Sequence, residues 1–314
     1  MISKLISILE IDKVDFLQQK INELDKNYNL SAINLYTWKF YNSKTFYFID
    51  KDAVYLYLLK IEKEMHEYNC TDKFDNCKRE ITIMRPIVSK ENEKNILLYY
   101  KRSIALIKND LKNEKCFQFN FGTPNELDLN LFKNIYDLSK FNCAYIYPTD
   151  QLKFMNGKKM QKKRNFVNFF KKNYEEFSRV EKFDSSKLEE IIIFCSKNSV
   201  DEDLKVRNYE IDAIREILSK SLPNGYGSII YFKDKIIGFT YGFIVNNKYE
   251  IFIEKGDKNF KGIYQYLICQ NLQINKINTP YVDRQDDLYD ENLRKSKLSY
   301  KPSLVPVIYF FNAK

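Results

Sequence analysis

A run of basic residues from Lys158 to Lys172, KKMQKKRNFVNFFKK, carries a strong chemical signal. Seven of its fifteen residues are Lys or Arg, and none is acidic. Lys and Arg bind phosphate oxygens through charged hydrogen bonds, so the run predicts an anionic partner that bears phosphate. The candidate contacts are Lys158, Lys162, Lys163 and Arg164. The alternative interpretation is a solvated helix face in a lysine-rich protein.

Carboxylates near the ends of two predicted strands are the candidates for acid–base chemistry. Glu254 lies late in a strand, in the string FIEKGD, and would serve as a general base or bind a substrate ammonium group. The alternative is a salt bridge with a neighbouring lysine such as Lys255. Asp286 and Asp287 follow a later strand together with Arg284, where loops often contact ligands. They could instead cap the next helix.

Two further groups of residues could hold a phosphate. Lys258, Lys261 and Gly262 stand where a helix is predicted to begin, and a helix N-terminus attracts anions, although one glycine makes a poor cradle. A second basic cluster, RKSKLSYK, contains Arg294, Lys295, Lys297, Tyr300 and Lys301. If it folds beside residues 158–172, the two basic groups would line one channel for an RNA acceptor stem or a headgroup. Otherwise both are exposed basic helices.

Several other chemistries are disfavoured. The single histidine, His66, has no motif around it, which argues against zinc sites built on two or more histidines and against Ser/His/Asp catalysis. The phosphate-binding loops GxxxxGKS/T and GxGxxG are absent. No CxxC pair occurs, so the cysteines are interpreted as reduced and mostly buried: Cys70, Cys77, Cys116, Cys143, Cys195 and Cys269.

Hydrophobic spacing predicts the elements that position these residues. Met160, Val167, Phe170 and Tyr174 recur at spacings of seven, three and four, which predicts a helix that buries this stripe. In the first half, a helix over 12–26 capped by Asp12 precedes strands at 45–50 and 53–59. Predicted strands and helices then alternate up to residue 148. Among them, NILLYY is predicted to be extended and 127–138 to be helical.

The second half shows a more clearly punctuated order of elements. Strands are predicted at 227–232, 235–245 and 248–256, and the two-residue connections between them favour antiparallel hairpins. A helix over 262–275, the strand TPYVDR, a helix over 290–297 and the final strand VPVIYFF follow. With 314 residues, two domains are expected, 1–148 and 149–314. The element order in the second is that of the GNAT acyltransferase fold.

Three strings in the second half carry a family resemblance. LKFMNGKKMQKKRNFVNFFKKNY (152–174), FIEKGDKNFKGIYQYL (252–267) and DRQDDLYDENLRKSKLSYKP (283–302) resemble bacterial proteins similar to the C-terminal domain of phosphatidylglycerol lysyltransferase. Residues 34–38, NLYTW, resemble an NLYxW string of the same family. The chain departs from the family at Asp283, Gln285 and Tyr289, where relatives tend to show Asn, Glu and Gly. Loss of that glycine would reshape a turn.

The resemblance implies an α/β (α+β) fold of two tandem GNAT-like acyltransferase domains, each a mixed sheet flanked by helices, with the main cleft in the second. Relatives transfer an aminoacyl group from aminoacyl-tRNA to a lipid headgroup or a peptidoglycan precursor. Aminoacyl-tRNA is therefore the expected co-substrate, acyl-CoA the alternative, and no tightly bound cofactor or metal is expected. A non-catalytic basic module for RNA or an anionic membrane surface is the alternative of another class.

The expected location is the cytoplasm, with at most peripheral contact to a membrane. Nowhere do eighteen apolar residues run together, and the amino terminus has no long apolar region followed by a cleavage site.

Overall fold

The computed structural model describes residues 6–26, 30–37, 43–60, 79–110, 117–123, 125–132, 136–198, 204–220, 222 and 224–313. Trp38, His66 and three of the cysteines, Cys70, Cys77 and Cys116, lie outside the described residues. The chain forms two compact units, one of Met1–Phe141 with Val307–Lys314 and one of Asn142–Pro306.

The described helices are α1 (Val14–Leu24), α2 (Ala32–Thr37), α3 (Ile96–Asp110), α4 (Leu129–Phe132), α5 (Thr149–Phe154), α6 (Gln161–Tyr174), α7 (Leu188–Lys197), α8 (Leu204–Ser219), α9 (Ile263–Ile274) and α10 (Glu291–Leu298). The described strands are β1 (Ser7–Ile8), β2 (Ser43–Ile49), β3 (Ala53–Lys60), β4 (Arg79–Met84), β5 (Ile87–Val88), β6 (Phe117–Thr123), β7 (Tyr136–Asn142), β8 (Ile146–Pro148), β9 (Ser178–Lys182), β10 (Gly225–Phe232), β11 (Lys235–Val245), β12 (Lys248–Gly256), β13 (Tyr281–Asp283) and β14 (Val307–Ala313).

The first unit contains a mixed sheet in the order β1-β2-β3-β4-β6-β14-β7, with β5 paired to β3. Its core is largely aromatic, and Phe132 stacks on Phe121 with ring centroids 4.5 Å apart. The predicted first helix buries Val14, Leu17 and Ile21, as the spacing requires. Asp12 does not cap it, because residues 11–13 form a separate 3₁₀ turn before α1 begins.

Three predicted elements, two in the first half and the final strand of the chain, differ from the structure. The run NILLYY, predicted as extended, belongs to the start of α3, and the helix predicted over 127–138 ends at Phe132 in α4. The final strand, β14, was predicted to complete the second domain. It pairs instead with β6 of the first unit, Phe311 opposite Phe121, so its apolar side chains enter the first core.

The second unit contains a sheet in the order β8-β13-β12-β11-β10-β9. The two predicted hairpins are present and antiparallel, and Lys233 and Asp234 adopt positive φ in the first connection. Residues 146–148 pair with β13 and so lie in this unit, whereas the predicted boundary placed them in the first domain. That difference arises because strand pairing, rather than chain proximity, assigns a segment to a sheet.

The basic run forms a 3₁₀ turn at Lys158–Met160 followed by α6, which confirms the predicted helix. Met160, Val167 and Phe170 are buried, and the Phe170 ring stacks on Tyr266 of α9 with centroids 4.3 Å apart. The buried stripe therefore packs α6 against α9, the helix that follows the central hairpin. This packing fixes which basic side chains point outward and which point toward the sheet.

Candidate active site between two diverging strands

The sheet of the second unit opens between β12 and β13. These parallel strands pair only through Lys248, Tyr249 and Glu250, opposite Tyr281 to Asp283. Beyond that point β12 carries a bulge, since Ile253 pairs with Tyr241 and Ile251 with Gly242, which leaves an extra residue between them. A bulge bends a strand and shifts its side-chain alternation by one residue. Because β13 ends at Asp283, the edge of β12 that pairs with β13 has no strand partner beyond Glu250 among the described residues.

The bulge decides the direction of Glu254. Tyr249 and Ile251 pack in the core against α9, whereas Lys255, past the bulge, pairs with Glu210 of α8 on the other face at 2.8 Å. Glu254 therefore lies on the α9 side of the sheet. Without the extra residue the alternation would place it on the α8 side.

An ion pair bridges the opening. Arg284 follows β13 directly, and its Nη2 atom donates to Oε1 of Glu254 at 2.6 Å. Each side chain is only 10% exposed. The alternative interpretation of Glu254 was a salt bridge with a lysine such as Lys255. Glu254 does form a salt bridge, but with Arg284, while Lys255 pairs with Glu210 of α8. Both partners keep one buried polar atom, Glu254 Oε2 and Arg284 Nη1, with no hydrogen-bond partner among the described residues.

Tyr300, which follows α10, forms an aromatic wall of the site. Its ring lies 4.6 Å from the guanidinium carbon of Arg284 and 4.0 Å from Nζ of Lys163, both within the range of cation–π attraction. Gln265 of α9 donates to the Tyr300 hydroxyl at 2.7 Å. The three sequence strings that carry the family resemblance therefore meet here, through Lys163, Glu254 with Gln265, and Arg284 with Tyr300.

The two lysines closest to Arg284 occupy different environments. Lys163 is half-buried, and burial together with the Arg284 charge lowers its pKa to about 8. Lys297 is buried, and its Nζ donates to the backbone carbonyls of Arg284 at 2.5 Å, of Gln285 at 3.2 Å and of Asp286. Burial lowers the pKa of Lys297 to about 8 as well, with Arg284 adding to the effect. Lys297 was predicted to bind phosphate, but its donors hold the loop that carries Arg284.

The predicted acidic pair is occupied by structural contacts. Asp287 accepts from Arg294 Nε at 2.8 Å and from the Tyr145 hydroxyl at 2.5 Å. Burial raises its pKa, but these hydrogen bonds outweigh that effect and lower it to about 2. Asp286 accepts from the backbone N–H of Leu288, and burial raises its pKa. Neither caps α10.

The side chain that caps α10 is Asp290, which accepts from the N–H groups of Asn292 and Leu293. The Arg294 guanidinium pairs with the buried carboxylate of Asp287, although the Arg294 side chain stays partly exposed. Most members of the second basic cluster, namely Arg294, Lys297 and Tyr300, therefore make contacts within the second unit. The exposed members of this cluster are Lys295 and Lys301.

Of the remaining candidate phosphate-binding residues, four lysines are exposed, whereas Arg164 is hydrogen-bonded to backbone carbonyls. Lys158, Lys162, Lys258 and Lys261 are exposed, and Lys261 Nζ lies 4.8 Å from the centroid of the Phe169 ring. Arg164 donates to the carbonyls of Met155 at 2.7 Å and Gly157 at 3.3 Å, which ties α6 to the loop before it.

Gly262 permits the close approach of α9 to α6. It has φ of +92°, and a Cβ atom at this position would lie 2.3 Å from the carbonyl oxygen of Phe166. Only glycine fits such a position, so this residue serves helix packing. The space on the Cβ side of this glycine is filled by the backbone of Phe166.

The first unit lacks a comparable opening among its described residues. Its parallel strands β4 and β6 pair through six positions, from Arg79 opposite Phe117 to Met84 opposite Gly122. Arg85, directly after β4, donates from Nε to Asp128 at 2.8 Å and from Nη1 and Nη2 to Glu93. All its donor groups face carboxylates. The strand opening thus occurs in the second unit.

Sequence reasoning missed Gln265 and assigned Lys163 to the phosphate contacts. The only sequence signal for Gln265 was its place in the string 252–267. The buried thiols of the second unit are chemically quiet, since burial raises the pKa values of Cys143, Cys195 and Cys269 to about 12. Within the part of the chain that the structure describes, no cluster of three or more His, Cys, Asp or Glu residues could hold a metal ion. None of the described helices has the length and apolarity to cross a membrane.

Comparisons with known proteins identify a family that this chain resembles in sequence. The sequence model of the family described as phosphatidylglycerol lysyltransferase, C-terminal, matches residues 112–311. An uncharacterized protein of Mycoplasmoides gallisepticum is 30% identical over 306 residues, which are 95% of this chain and 96% of that protein.

Solved structures of similar fold cover nearly the whole chain. A conserved protein of unknown function from Bacteroides thetaiotaomicron has a TM-score of 0.74 at 21% identity, with 98% of this chain and 99% of that chain covered. L-PGS from Bacillus licheniformis has a TM-score of 0.60 at 13% identity, with 98% and 93% covered. A tandem GNAT protein from the clavulanic acid biosynthesis pathway has a TM-score of 0.51 at 7% identity, with 98% of both chains covered. The predicted α/β fold of GNAT-like domains is confirmed.

Proposed function

This chain belongs to the family of phosphatidylglycerol lysyltransferase C-terminal domains, and we propose that it transfers an aminoacyl group from aminoacyl-tRNA to an amine or hydroxyl acceptor. The acceptor would be a lipid headgroup, a peptide or a small molecule. The reaction would take place in the cytoplasm, where tRNA is charged, at the opening between β12 and β13.

The buried polar atoms at this opening carry the proposal. Glu254 Oε2 is an acceptor and Arg284 Nη1 is a donor, and neither has a hydrogen-bond partner among the described residues. A buried polar atom without a partner costs about 1–3 kcal/mol, so such atoms mark places where a ligand completes the hydrogen bonds. An aminoacyl ester offers both complements, because its ammonium group donates and its carbonyl oxygen accepts.

The chemistry follows from the charges of the two residues. Aminoacyl transfer requires that the acceptor be held at the ester carbonyl and that the oxygen charge of the tetrahedral intermediate be stabilised. Arg284 would supply a fixed positive charge to that oxygen, while Glu254 would hold the ammonium group of the aminoacyl moiety. The Tyr300 ring lies against Arg284 and limits its movement.

Exposed lysines beside this opening suit an RNA donor. Lys158 and Lys159 lie in the 3₁₀ turn that precedes α6, and Lys162 lies in the first turn of α6, next to Lys163, whose amine contacts the Tyr300 ring. Lys171 and Lys172 lie in the last turn of the same helix. We call these five exposed residues the α6 basic row. Phosphate contacts from such a row would steer a tRNA acceptor end toward the site. Phe169, exposed on the same helix, offers a ring on which a base could stack.

Acyl-CoA is less well supported as the donor. A simple acyl thioester has no ammonium group to donate to Glu254 Oε2. The start of α9, where a CoA pyrophosphate would be expected, offers a single glycine, Gly262, which packs closely against the backbone of Phe166. Contact with a membrane surface would follow if the acceptor is a lipid headgroup, since the α6 basic row would also attract anionic lipids.

The test is transfer of labelled amino acids. Purified protein is incubated with tRNA charged with a mixture of labelled amino acids, or with labelled acetyl-CoA, and with acceptors of the three classes. We expect transfer from charged tRNA. Glu254→Gln should lower the rate at least about 100-fold, while its amide oxygen still accepts from Arg284 and preserves most of the stability.

Glu181→Gln, which alters a half-exposed carboxylate on β9, is the matched control and should transfer at the wild-type rate. Full activity of Glu254→Gln would remove Glu254 from the site. Failure to transfer from either donor class, together with salt-sensitive binding of uncharged tRNA or anionic vesicles, would favour the non-catalytic binding module.

A further inference from the structure

Lys163 occupies a position that the α6 basic row does not share. It lies one residue after exposed Lys162, yet it turns inward, and its Nζ stands 4.0 Å from the centroid of the buried Tyr300 ring. The same ring contacts Arg284, whose Nη2 holds Glu254. The Lys163 amine thus shares the Tyr300 ring with Arg284, one of the two residues that would bind the aminoacyl ester.

The surroundings of Lys163 disfavour its charged form. Among the described residues, no carboxylate lies within ion-pair distance of it. The charged and titratable groups around it are Arg284 after β13 and Tyr300 after α10, with Lys159 and Lys162 on its own segment; α9 contributes the uncharged Gln265. Burial and Arg284 lower its pKa to about 8, so much of the amine is neutral slightly above physiological pH.

Other titratable groups of the site are occupied. Glu254 is paired with Arg284. Lys297 is surrounded by three backbone carbonyls, and Asp287 is held by Arg294. Burial raises the pKa of Tyr300, whose hydroxyl accepts a hydrogen bond from Gln265. Lys163 is therefore the group best placed to exchange a proton.

We propose that Lys163 is the general base of the transfer reaction, which rests on the proposed function. The neutral Nζ accepts the proton of the acceptor's nitrogen or oxygen as that atom forms a bond to the ester carbonyl carbon. When the tetrahedral intermediate collapses, the bond between the carbonyl carbon and the tRNA oxygen breaks, and the Lys163 ammonium returns the proton to that oxygen. The lysine ends in its initial state, and no electrons are exchanged with another reactant.

The substitutions Lys163→Met and Lys163→Arg separate this role from phosphate binding. A phosphate contact needs positive charge, which arginine retains, so a binding role predicts that the arginine variant keeps most of the activity. A general base must lose its proton, and arginine cannot do so near neutral pH. We therefore expect both variants to lose about 10²- to 10⁴-fold in kcat/KM.

The pH profile gives the second readout. For the wild type, kcat/KM should rise with pH and level off above about 8, because the base must be unprotonated in the free enzyme. The Lys163→Met variant should lose this rising limb, and added ethylamine should restore part of the rate. Lys235→Met, an exposed lysine on β11, is the matched control and should keep the profile.

Three measurements do not depend on turnover. Uncharged tRNA should bind Lys163→Met about as tightly as it binds the wild type, and the variant should unfold in urea near the wild-type midpoint. An NMR titration of ¹³C-methylated lysines, assigned with Lys163→Arg, should show Lys163 titrating near pH 8, well below the ordinary value of about 10.4.

The outcomes distinguish this proposal from the one on which it rests. Wild-type transfer with a retained rising limb in Lys163→Met, or with full activity in Lys163→Arg, would overturn the role of Lys163 alone. A lysine signal that titrates at the ordinary value would overturn it as well. Absence of wild-type transfer from any charged tRNA would overturn the proposed function and this inference together.

Discussion

Glu254 and Arg284, 30 residues apart in the chain, meet with 2.6 Å between Oε1 and Nη2 at the point where β12 and β13 have separated. Glu254 lies four residues past the last paired position of β12, about 13 Å along the strand. Arg284 lies one residue past the last pair of β13, so its long side chain spans the gap. The ion pair therefore belongs to the opening of the sheet rather than to its paired part.

Removing one member of this pair should be worse for stability than removing both. Because each side chain is only 10% exposed, Glu254→Leu or Arg284→Met leaves the remaining buried charge without its partner. We expect a double-mutant cycle to give a coupling free energy of about 1–3 kcal/mol. Urea unfolding of the four proteins measures it. Additive losses would mean that solvent already screens the pair.

Asp287 should stabilise the fold at neutral pH and lose that effect in acid. Its folded pKa of about 2 lies below the unfolded value of about 3.9, so the carboxylate contributes fully above pH 4 and the contribution disappears as pH falls toward 2. The difference corresponds to about 2.5 kcal/mol. We expect the gap in unfolding free energy between wild type and Asp287→Asn to narrow from pH 6 to pH 2. Asp212→Asn, at an exposed aspartate on α8, is the matched control for the loss of one carboxylate.

Gly262→Ala should disturb the site from a distance. The new Cβ would lie 2.3 Å from the Phe166 carbonyl oxygen, and alanine disfavours a φ of +92°. We expect a loss of more than about 1 kcal/mol in unfolding free energy and a lower transfer rate, because α6 must move and carries Lys163 with it. Gly157→Ala is the comparison variant, because Gly157 also has a positive φ but an added Cβ there would have no atom within 4 Å. A similar loss in both variants would assign the effect to backbone conformation alone.

Lys297→Met should loosen the loop that carries Arg284. The substitution removes the donor from three backbone carbonyls, at residues 284, 285 and 286, and buried acceptors without donors cost about 1–3 kcal/mol each. Hydrogen exchange of residues 284–290 should accelerate, and kcat should fall. Lys295→Met on the exposed face of the same helix should change neither quantity. Unaltered exchange in Lys297→Met would mean that the loop is held by other contacts.

Charge reversal in the α6 basic row should weaken RNA binding without changing the fold. Lys159→Glu with Lys162→Glu removes two exposed positive charges, so the affinity for uncharged tRNA should fall, and the slope of log K against log salt should decrease by about 0.7–0.9 for each phosphate that the protein no longer neutralises. Lys182→Glu with Lys220→Glu makes the same change in net charge on other exposed positions. Equal weakening by both pairs would indicate an effect of net charge rather than a docking row.

Local sequence patterns predicted much of the secondary structure of the second unit. The stripe of Met160, Val167 and Phe170 predicted α6, and the two-residue connections predicted the hairpins, because helix periodicity and turn chemistry depend on neighbours in the chain. The family strings pointed to the right region. The same local rules failed for NILLYY, whose continuous apolar run does not distinguish strand from helix.

The sequence by itself therefore determined the fold class, the amphipathic basic helix and the strings from which the site is drawn. Only the tertiary structure decided how the charges pair. The register of β12 and its one extra residue place Glu254 next to Arg284. Lys297, predicted to bind phosphate, is buried and donates to the loop that carries Arg284. The last strand pairs with β6 and therefore belongs to the first unit. These outcomes depend on residues 11 to about 190 positions apart. Contacts over such separations arise from packing, which no local periodicity encodes.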